Sequence, residues 1–255
     1  VFTRALQQEL KMKGSLDDMI ESLPDDSVIV LQDAELWWER SHTGLSVIET
    51  IADLVERTSD RCLFLIEMGQ HAFKFIDRLS PLGEQALAVV ECAPVDAEAL
   101  KDIVMMRHRS TGLRFELAGK PEDELSEWAL AQLFSAHFDH SQGNIGAALT
   151  GWITHMDSFE ADVLAVRRPR HTNTLALDAL RVESIALLVQ LVLHRQLTVE
   201  RLARVTGITS ADLTRELTGL RRIGLLAKRK RDIVELEPYA RNLVIRALSR
   251  RSLLP

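Results

Sequence analysis

Polar side chains that could do chemistry directly follow a short apolar run near the start of the chain. Val28–Leu31 is apolar throughout, which favours a strand buried on both faces, as in a parallel sheet. Gln32, Asp33 and Glu35 come next. In an open parallel α/β sheet the carboxyl ends of the strands face the ligand crevice. The sequence therefore places two carboxylates where they could hold a metal ion or activate water, with solvated loop acids as the alternative.

The elements that would position these acids alternate between strand and helix. An amphipathic helix at 45–55 follows the acidic loop, and a second apolar run, Cys62–Ile66, follows that helix. A helix at 71–79 and a third strand, Ala86–Val90, continue the pattern. Such alternation predicts βαβ units and a parallel sheet. We expect this α/β core to occupy residues 1–95.

From Asp96 onward the sequence pattern predicts mainly helices in place of alternating strands and helices. Helices are predicted at 96–109, 122–139 and 144–156, with a short extended piece at 113–117. This segment, 96–166, is predicted to be a helical lid on the sheet. A polar stretch rich in arginine and containing Pro169 predicts a linker at 167–174.

Residues 175–255 have the pattern of a second, mainly α-helical domain. A long helix, a short helix, a turn at Gly207 and a third helix from Ser210 have helix-turn-helix spacing. The run after Gly224 predicts a two-stranded β wing with a basic tip, and a last helix closes the domain. The predicted ranges are 177–194, 198–205, 210–223, a wing over 225–236, and 239–249.

Charge separates the two parts of the chain. The formal net charge is −6, but residues 196–255 carry 13 Lys and Arg against 6 Asp and Glu, which leaves 18 against 31 for residues 1–195. Basic side chains that could neutralise phosphates or dock on a protein lie on the third helix and the wing tip. They are Arg215, Arg221, Arg222, Lys228, Arg229, Lys230 and Arg231.

The rest of the composition indicates a cytoplasmic protein. The two cysteines, Cys62 and Cys92, lie in apolar strand-like runs, which favours a buried reduced pair over a disulfide. No apolar run is long enough to span a membrane, so we expect no membrane contact by this segment. Of the adjacent Trp37 and Trp38, we expect one in the core and one on a partner surface.

Taken together, the residues resemble the bacterial AAA+ and STAND class of P-loop NTPases with a C-terminal winged helix. Val28–Glu35 is similar to the family's Walker B strand, which usually ends in two adjacent acids. Here Gln32 precedes Asp33, so either residue could occupy the place of the metal acid. The resemblance implies that Asp33 holds Mg²⁺ through water and that Glu35 activates the attacking water.

Other segments are similar to the family's remaining motifs. The strand that ends at Glu67 to Gln70 looks like the sensor 1 strand, where Gln70 or Glu67 would orient water. Arg78 lies where the class often keeps an arginine finger. The run 143–148 resembles the start of the sensor 2 helix, which implies that Gly143 and Asn144 contact the nucleotide. Gly146 stands where AAA+ enzymes carry Arg, which favours STAND.

A phosphate-binding loop is missing from the sequence. GxxxxGK[ST] cradles phosphates with its backbone N–H groups, and nothing in the chain matches it. We therefore expect the chain to be the C-terminal part of an NTPase, without ATPase activity or tight ATP binding of its own. ATP and Mg²⁺ would be cofactors of the parent protein, whose loop would precede Val1.

Two functions of different class follow from the resemblance. In the first, the chain belongs to a nucleotide-dependent switch whose winged helix docks on a protein partner or on another copy. In the second, it belongs to a DNA-binding ATPase regulator of the origin-recognition type, whose winged helix binds duplex DNA.

Overall fold

Two parallel strands form the centre of the N-terminal part. The structure is a computed structural model that describes residues 16–160, 162–169, 177, 179–227 and 232–255. Strand β1 (Ser27–Leu31) pairs with β2 (Cys62–Ile66) in a parallel register that runs from Ser27 opposite Cys62 to Leu31 opposite Ile66. Helix α1 (Leu16–Glu21) precedes β1, and α2 (Ser46–Thr58) forms the crossover between the strands. The two strands lie where the sequence predicts them.

Only one face of this parallel pair is covered by the described residues. Ile20 of α1 and Ile51 and Leu54 of α2 pack against Leu31 and Cys62. The opposite face carries side chains that are about half exposed: Val28, Val30, Leu63 and Leu65. The prediction of a strand buried on both faces is therefore wrong for β1, because no described helix packs on the second face.

The segment after β2 forms helices but no third strand. Helix α3 (Gln70–Asp77) and the single turn α4 (Leu82–Gln85) are followed by irregular backbone, and Leu87 is 95% exposed. The predicted strand Ala86–Val90 is wrong in the described structure, because a strand needs a neighbour for its backbone hydrogen bonds and none lies beside it. Cys92 is exposed, contrary to prediction, whereas Cys62 is buried; both thiols are free.

The segment predicted as a helical lid also contains a sheet. Its helices are α5 (Ala97–Arg109), α6 (Glu127–Ser141) and α7 (Ile145–Thr154). The sheet has the order β4-β3-β6-β5, with β3 parallel to β6 and β5 antiparallel to β6. Its strands are β3 (Arg114–Leu117), β4 (Lys120–Pro121), β5 (Met156–Glu160) and β6 (Val163–Val166). The helices and the sheet share a core around Phe115 and Trp152.

The C-terminal part follows the predicted order of helices. Short β7 and β8 are antiparallel, and Leu226 bridges to Leu236. Gly207, with φ of 68°, ends α9 and turns the chain toward α10. The elements are α8 (Val182–His194), β7 (Gln196–Thr198), α9 (Val199–Thr206), α10 (Ser210–Arg222), β8 (Ile233–Glu235) and α11 (Pro238–Arg250). The basic tip predicted at 228–231, and most of the predicted linker, lie outside the described residues.

A small apolar cluster connects α8 of the C-terminal part to the loop after β1 and to helices α2 and α3. Trp38, Ile48 and Ile76 pack with Leu193 of α8, and all four side chains are buried. The ring of Trp38 lies 4.3 Å from that of His194, centroid to centroid. Within the described ranges, no helix is both long and apolar enough to cross a membrane.

Candidate functional site at the carboxyl end of the parallel strands

The ends of β1 and β2 are tied together by backbone hydrogen bonds. The Glu67 N–H donates to the Leu31 carbonyl at 2.9 Å, and the Ala34 N–H donates to the Glu67 carbonyl at 2.9 Å. Between these ties the chain passes through Asp33, whose φ of 51° is in the left-handed region. Asp adopts this region more readily than most residues. The carboxyl ends of the two strands thus form one edge, as the parallel topology predicts.

Glu35 joins the same two strand ends through its side chain. The residue is 5% exposed, and Oε2 accepts a hydrogen bond from the Gly69 N–H at 3.1 Å. Arg241 of α11 lies near enough for the charge of Glu35 to oppose the lowering of the Arg241 pKa by burial. The structure therefore places Glu35 at the predicted edge, directed toward the turn after β2.

Asp33 makes an ion pair with the C-terminal part of the chain. Its carboxylate accepts a hydrogen bond from Nη1 of Arg195, the residue that links α8 to β7. The Arg195 side chain is 50% exposed and that of Asp33 is 37% exposed, so solvent reaches the pair. The predicted metal acid is thus already paired with a cation of its own chain.

A third acid after β1 holds two more arginines. Glu39 Oε2 accepts from Arg201 Nε at 3.1 Å, and Oε1 accepts from Arg204 Nε at 2.7 Å. Burial alone would raise the pKa of Glu39, but the hydrogen bonds and charges of the two arginines lower it. Arg201 also donates to the Trp38 carbonyl at 3.0 Å. We call Asp33, Glu35 and Glu39 the acid edge, and Arg195, Arg201 and Arg204 the arginine face.

The arginine face and Glu39 were missed by sequence reasoning. Arg201 and Arg204 are three residues apart on α9, a spacing that puts both on one side of a helix. That spacing is a weak signal, since charged helix faces are usually solvated. Their partner lies more than 160 residues away in sequence, so only the folded chain shows the contact.

The other predicted site residues lie apart from this contact. Gln70 Nε2 donates to Glu91 Oε1, and Arg78 is an exposed residue at the end of α3 with no ion pair to any described side chain. Asn144 caps α7, because its Oδ1 accepts from the Ala147 N–H at 2.8 Å. A Cβ on Gly143 would lie 2.2 Å from the Val95 carbonyl oxygen, so this position requires glycine.

The predicted basic surface is only partly described. Arg215 Nη2 forms an ion pair with Asp212 Oδ1 at 2.8 Å on α10 itself. Arg221 and Arg222 are exposed at the end of the same helix. The wing residues Lys228, Arg229, Lys230 and Arg231 fall outside the described ranges.

The acid edge does not fit a Mg²⁺ ion in this arrangement. Asp33 is paired with Arg195, and Glu35 is directed to a backbone N–H. Across the residues that the structure describes, no three His, Cys, Asp or Glu side chains are grouped so as to hold a metal ion. The predicted metal role of Asp33 would require Arg195 to move.

Comparison with solved structures gives a distant likeness. No family model matches the chain, and no curated protein matches it. Among solved structures, a point mutant of Thermotoga maritima RuvB is similar at 16% sequence identity and a TM-score of 0.28, over 89% of this chain and 73% of that one. At such an identity and TM-score this likeness carries no argument about family, site or function.

Proposed function

We propose that the chain is the C-terminal part of a nucleotide-dependent switch of the AAA+ or STAND type, in which a C-terminal winged helix docks on protein. ATP and Mg²⁺ are the cofactors that this proposal implies for the longer protein. The chain itself supplies the acids at the strand ends and the part that responds to them. Its phosphate loop would belong to sequence outside residues 1–255.

The observation that carries this proposal is the contact between the acid edge and the arginine face. Asp33, the predicted metal acid, pairs with Arg195, and the nearby Glu39 pairs with Arg201 and Arg204 of the C-terminal part. Any change in charge at Asp33 therefore acts directly on a contact of Arg195. A ligand can shift a conformational equilibrium only through such differential contacts.

The order of elements in the C-terminal part supports the proposal of a winged helix. Helix α8, strand β7, helices α9 and α10, and the bridge between Leu226 and Leu236 follow one another in that order. Arg201 and Arg204 of α9 already contact a protein surface, the acid edge. This contact favours protein docking as the role of the domain.

The remaining predicted residues have defined places in the proposal. Asp33 would serve as the cation-binding acid of the longer protein only with its pair to Arg195 open, and Glu35 is the acid beside it, held by the turn that carries Gly69. Gln70 begins α3 at the end of β2, where it could orient water once released from Glu91. Exposed Arg78 is available to a neighbouring subunit, and Asn144, whose Oδ1 caps α7, would contact a nucleotide through its amide nitrogen.

The test uses the longer protein that contains a phosphate loop together with this chain. Asp33→Asn should lower nucleotide hydrolysis far more than Gln32→Ala, because only Asp33 carries a charge for the cation. Gln32 is the matched control, since it is the exposed neighbour of Asp33 on the same loop. Equal losses, or a larger loss for Gln32→Ala, would contradict the assignment.

Duplex DNA binding is the second candidate function, and the exposed face of α10 favours it. This helix follows the Gly207 turn and presents Thr214, Thr218 and Arg222 to solvent. Hydroxyl and guanidinium groups of this kind contact phosphates and base edges in DNA complexes. Because α9 and not α10 touches the acid edge, the α10 face stays open to a second partner.

A further inference from the structure

Helix α11 of the C-terminal part also packs on α6 and α7 of the 96–166 segment. Its Asn242 donates through Nδ2 to the Ser141 carbonyl at 2.6 Å. One turn earlier on α11, Tyr239 lies against Gly151, where a Cβ would be 3.5 Å from Tyr239 Cε2. These contacts involve neither the acid edge nor the arginine face.

Three histidines surround this contact. His140 of α6 stacks on the Tyr239 ring with 4.8 Å between centroids, and His155, just after α7, lies 5.2 Å from the same ring. The ring of His137 on α6 lies 5.6 Å from that of His155. Nδ1 of His137 is 3.6 Å from the position of a Gly151 Cβ, which Tyr239 also approaches. Helix α11 thus closes over a group of imidazole rings.

The hydrogen bonds of this group suit neutral rings. His155 Nδ1 lies 2.7 Å from the Gly151 carbonyl, which can only accept, so Nδ1 carries a proton. Nε2 of a neutral His155 then accepts from the Tyr239 hydroxyl at 3.4 Å. Burial raises the pKa of Tyr239 to about 12, so this hydroxyl keeps the proton that it donates. A second proton on His155 would remove the acceptor.

A positive charge on His137 would be buried among other imidazoles. The residue is 2% exposed, and its Nε2 has no hydrogen-bond partner among the described residues. Burial, reinforced by the charges of His155 and His140, lowers the pKa of His137 to about 3. The ring is therefore neutral as long as α11 stays in place.

The other titratable groups around His137 do not offset such a charge. Tyr239 of α11 is uncharged, and Asp139 of α6 is exposed to solvent. His108 of α5 contacts the same Trp152 ring as His137, and burial lowers its pKa as well. A proton that enters this group meets further imidazoles instead of a buried carboxylate.

From this arrangement we infer that the contact of α11 with α6 and α7 is a proton-sensitive joint, which holds while His137 is neutral and opens in mildly acidic solution. When α11 leaves, water reaches His137 and the ring can take up a proton. The docked state then binds fewer protons than the open one, so a fall in pH favours the open state. The inference goes beyond the proposed switch, because its effector is a proton and not a nucleotide.

The size of the effect follows from the two states of His137. Its pKa is about 3 in the docked chain, and the ordinary value is 6.5 when water surrounds the ring. The ratio of open to docked molecules should therefore rise about 20-fold from pH 7 to pH 5.

Thiol labelling of the full chain measures how often this contact opens. Ser141→Cys places a thiol at a position that is 1% exposed and lies beside the Asn242 contact. Cys92 is exposed in the same chain and is the internal reference for the pH dependence of the labelling reaction. Ala148→Cys, in the core of the 96–166 segment, reports opening of that whole segment.

Relative to Cys92, the thiol at position 141 should be labelled about 20-fold faster at pH 5 than at pH 7. It should also be labelled faster than the thiol at position 148 at both pH values. His137→Phe and, independently, His137→Gln remove the titrating ring, and either should remove most of the increase at pH 5. The matched control His42→Phe removes an exposed histidine and should keep the full increase.

Three results would overturn the inference. An unchanged relative rate at position 141 would show that the contact does not respond to protons. The same increase in both His137 variants as in the wild type would show that His137 is not the group that responds. Equal labelling at positions 141 and 148 would show that the 96–166 segment opens as a whole and that α11 does not leave it separately.

Discussion

Replacing Glu39 by glutamine should destabilise the folded chain by about 2 kcal/mol. The Glu39 side chain is 18% exposed and accepts charged hydrogen bonds from two arginines, each of a kind that contributes ~1.5–3 kcal/mol when desolvated. Arg204 makes the shorter contact but is 55% exposed, so solvent reduces its contribution to ~0–1 kcal/mol. Arg201 is 30% exposed and donates to the Trp38 carbonyl as well. We expect most of the loss to come from Arg201.

Urea unfolding of a double-mutant cycle separates the two partners. Combining Glu39→Gln with Arg201→Ala should give a coupling free energy of ~1–2 kcal/mol, larger than that with Arg204→Ala. The control is Glu200→Gln, which changes the same charge at an 87% exposed side chain on α9 and should alter stability by under ~0.5 kcal/mol.

The coupling free energies measured in this cycle should also depend on pH. The folded chain lowers the pKa of Glu39, so its stabilising contribution is complete above the ordinary value of 4.5 and is lost as the pH falls through the folded-state value. Coupling near zero with both arginines at pH 7 would refute the argument that burial of Glu39 makes this contact strong. A larger coupling free energy with Arg204 than with Arg201 would refute the argument that solvent exposure weakens the contact of Arg204.

Three further predictions concern protonation and ligands. Burial lowers the pKa of His137 to about 3 and of His194 to about 4, so both side chains stay neutral in the folded chain. The free energy of unfolding should therefore fall as the pH drops below about 6.5, by roughly 2 kcal/mol for each histidine at pH 5. In urea titrations at pH 7.5 and 5, His194→Leu should remove the part of this fall that His194 causes. Millimolar Mg²⁺-ATP should leave the melting temperature unchanged, because the sequence has no phosphate loop, and a rise of several degrees would contradict this. If the C-terminal part binds duplex DNA, log K should fall with log salt at a slope of about −4 to −6, and replacing residues 228–231 by Ala should flatten it. No binding at about 50 mM salt would exclude DNA.

The local sequence pattern was sufficient to predict the strands and helices in which the spacing of apolar side chains can be recognised over a few consecutive residues. Strands β1 and β2, and the helices α8 to α11, lie close to their predicted positions because their apolar side chains recur at strand or helix spacing. The acids after β1 were found for the same reason, since the end of a parallel strand fixes where the following residues lie.

Tertiary structure decided the cases in which a segment needs a distant neighbour. Ala86–Val90 has the composition of a strand, yet it pairs with nothing in the described chain, and composition cannot supply a partner. Conversely, Met156–Glu160 is largely polar and exposed, and it becomes strand β5 only because β6 offers its edge.

The acid edge shows the same division between local pattern and long-range contact. The sequence identified Asp33 and Glu35 as candidates, but their partners come from the C-terminal part of the chain and from the turn after β2. Arg195 is 162 residues from Asp33, and no spacing rule spans that separation. Its contact depends on how α8 packs on Trp38 and Ile76, which is set by the burial of apolar side chains from both parts at once. The sequence by itself thus determined which side chains could do chemistry, and only the folded chain determined that Arg195 pairs with Asp33 and that Glu35 accepts from the Gly69 N–H.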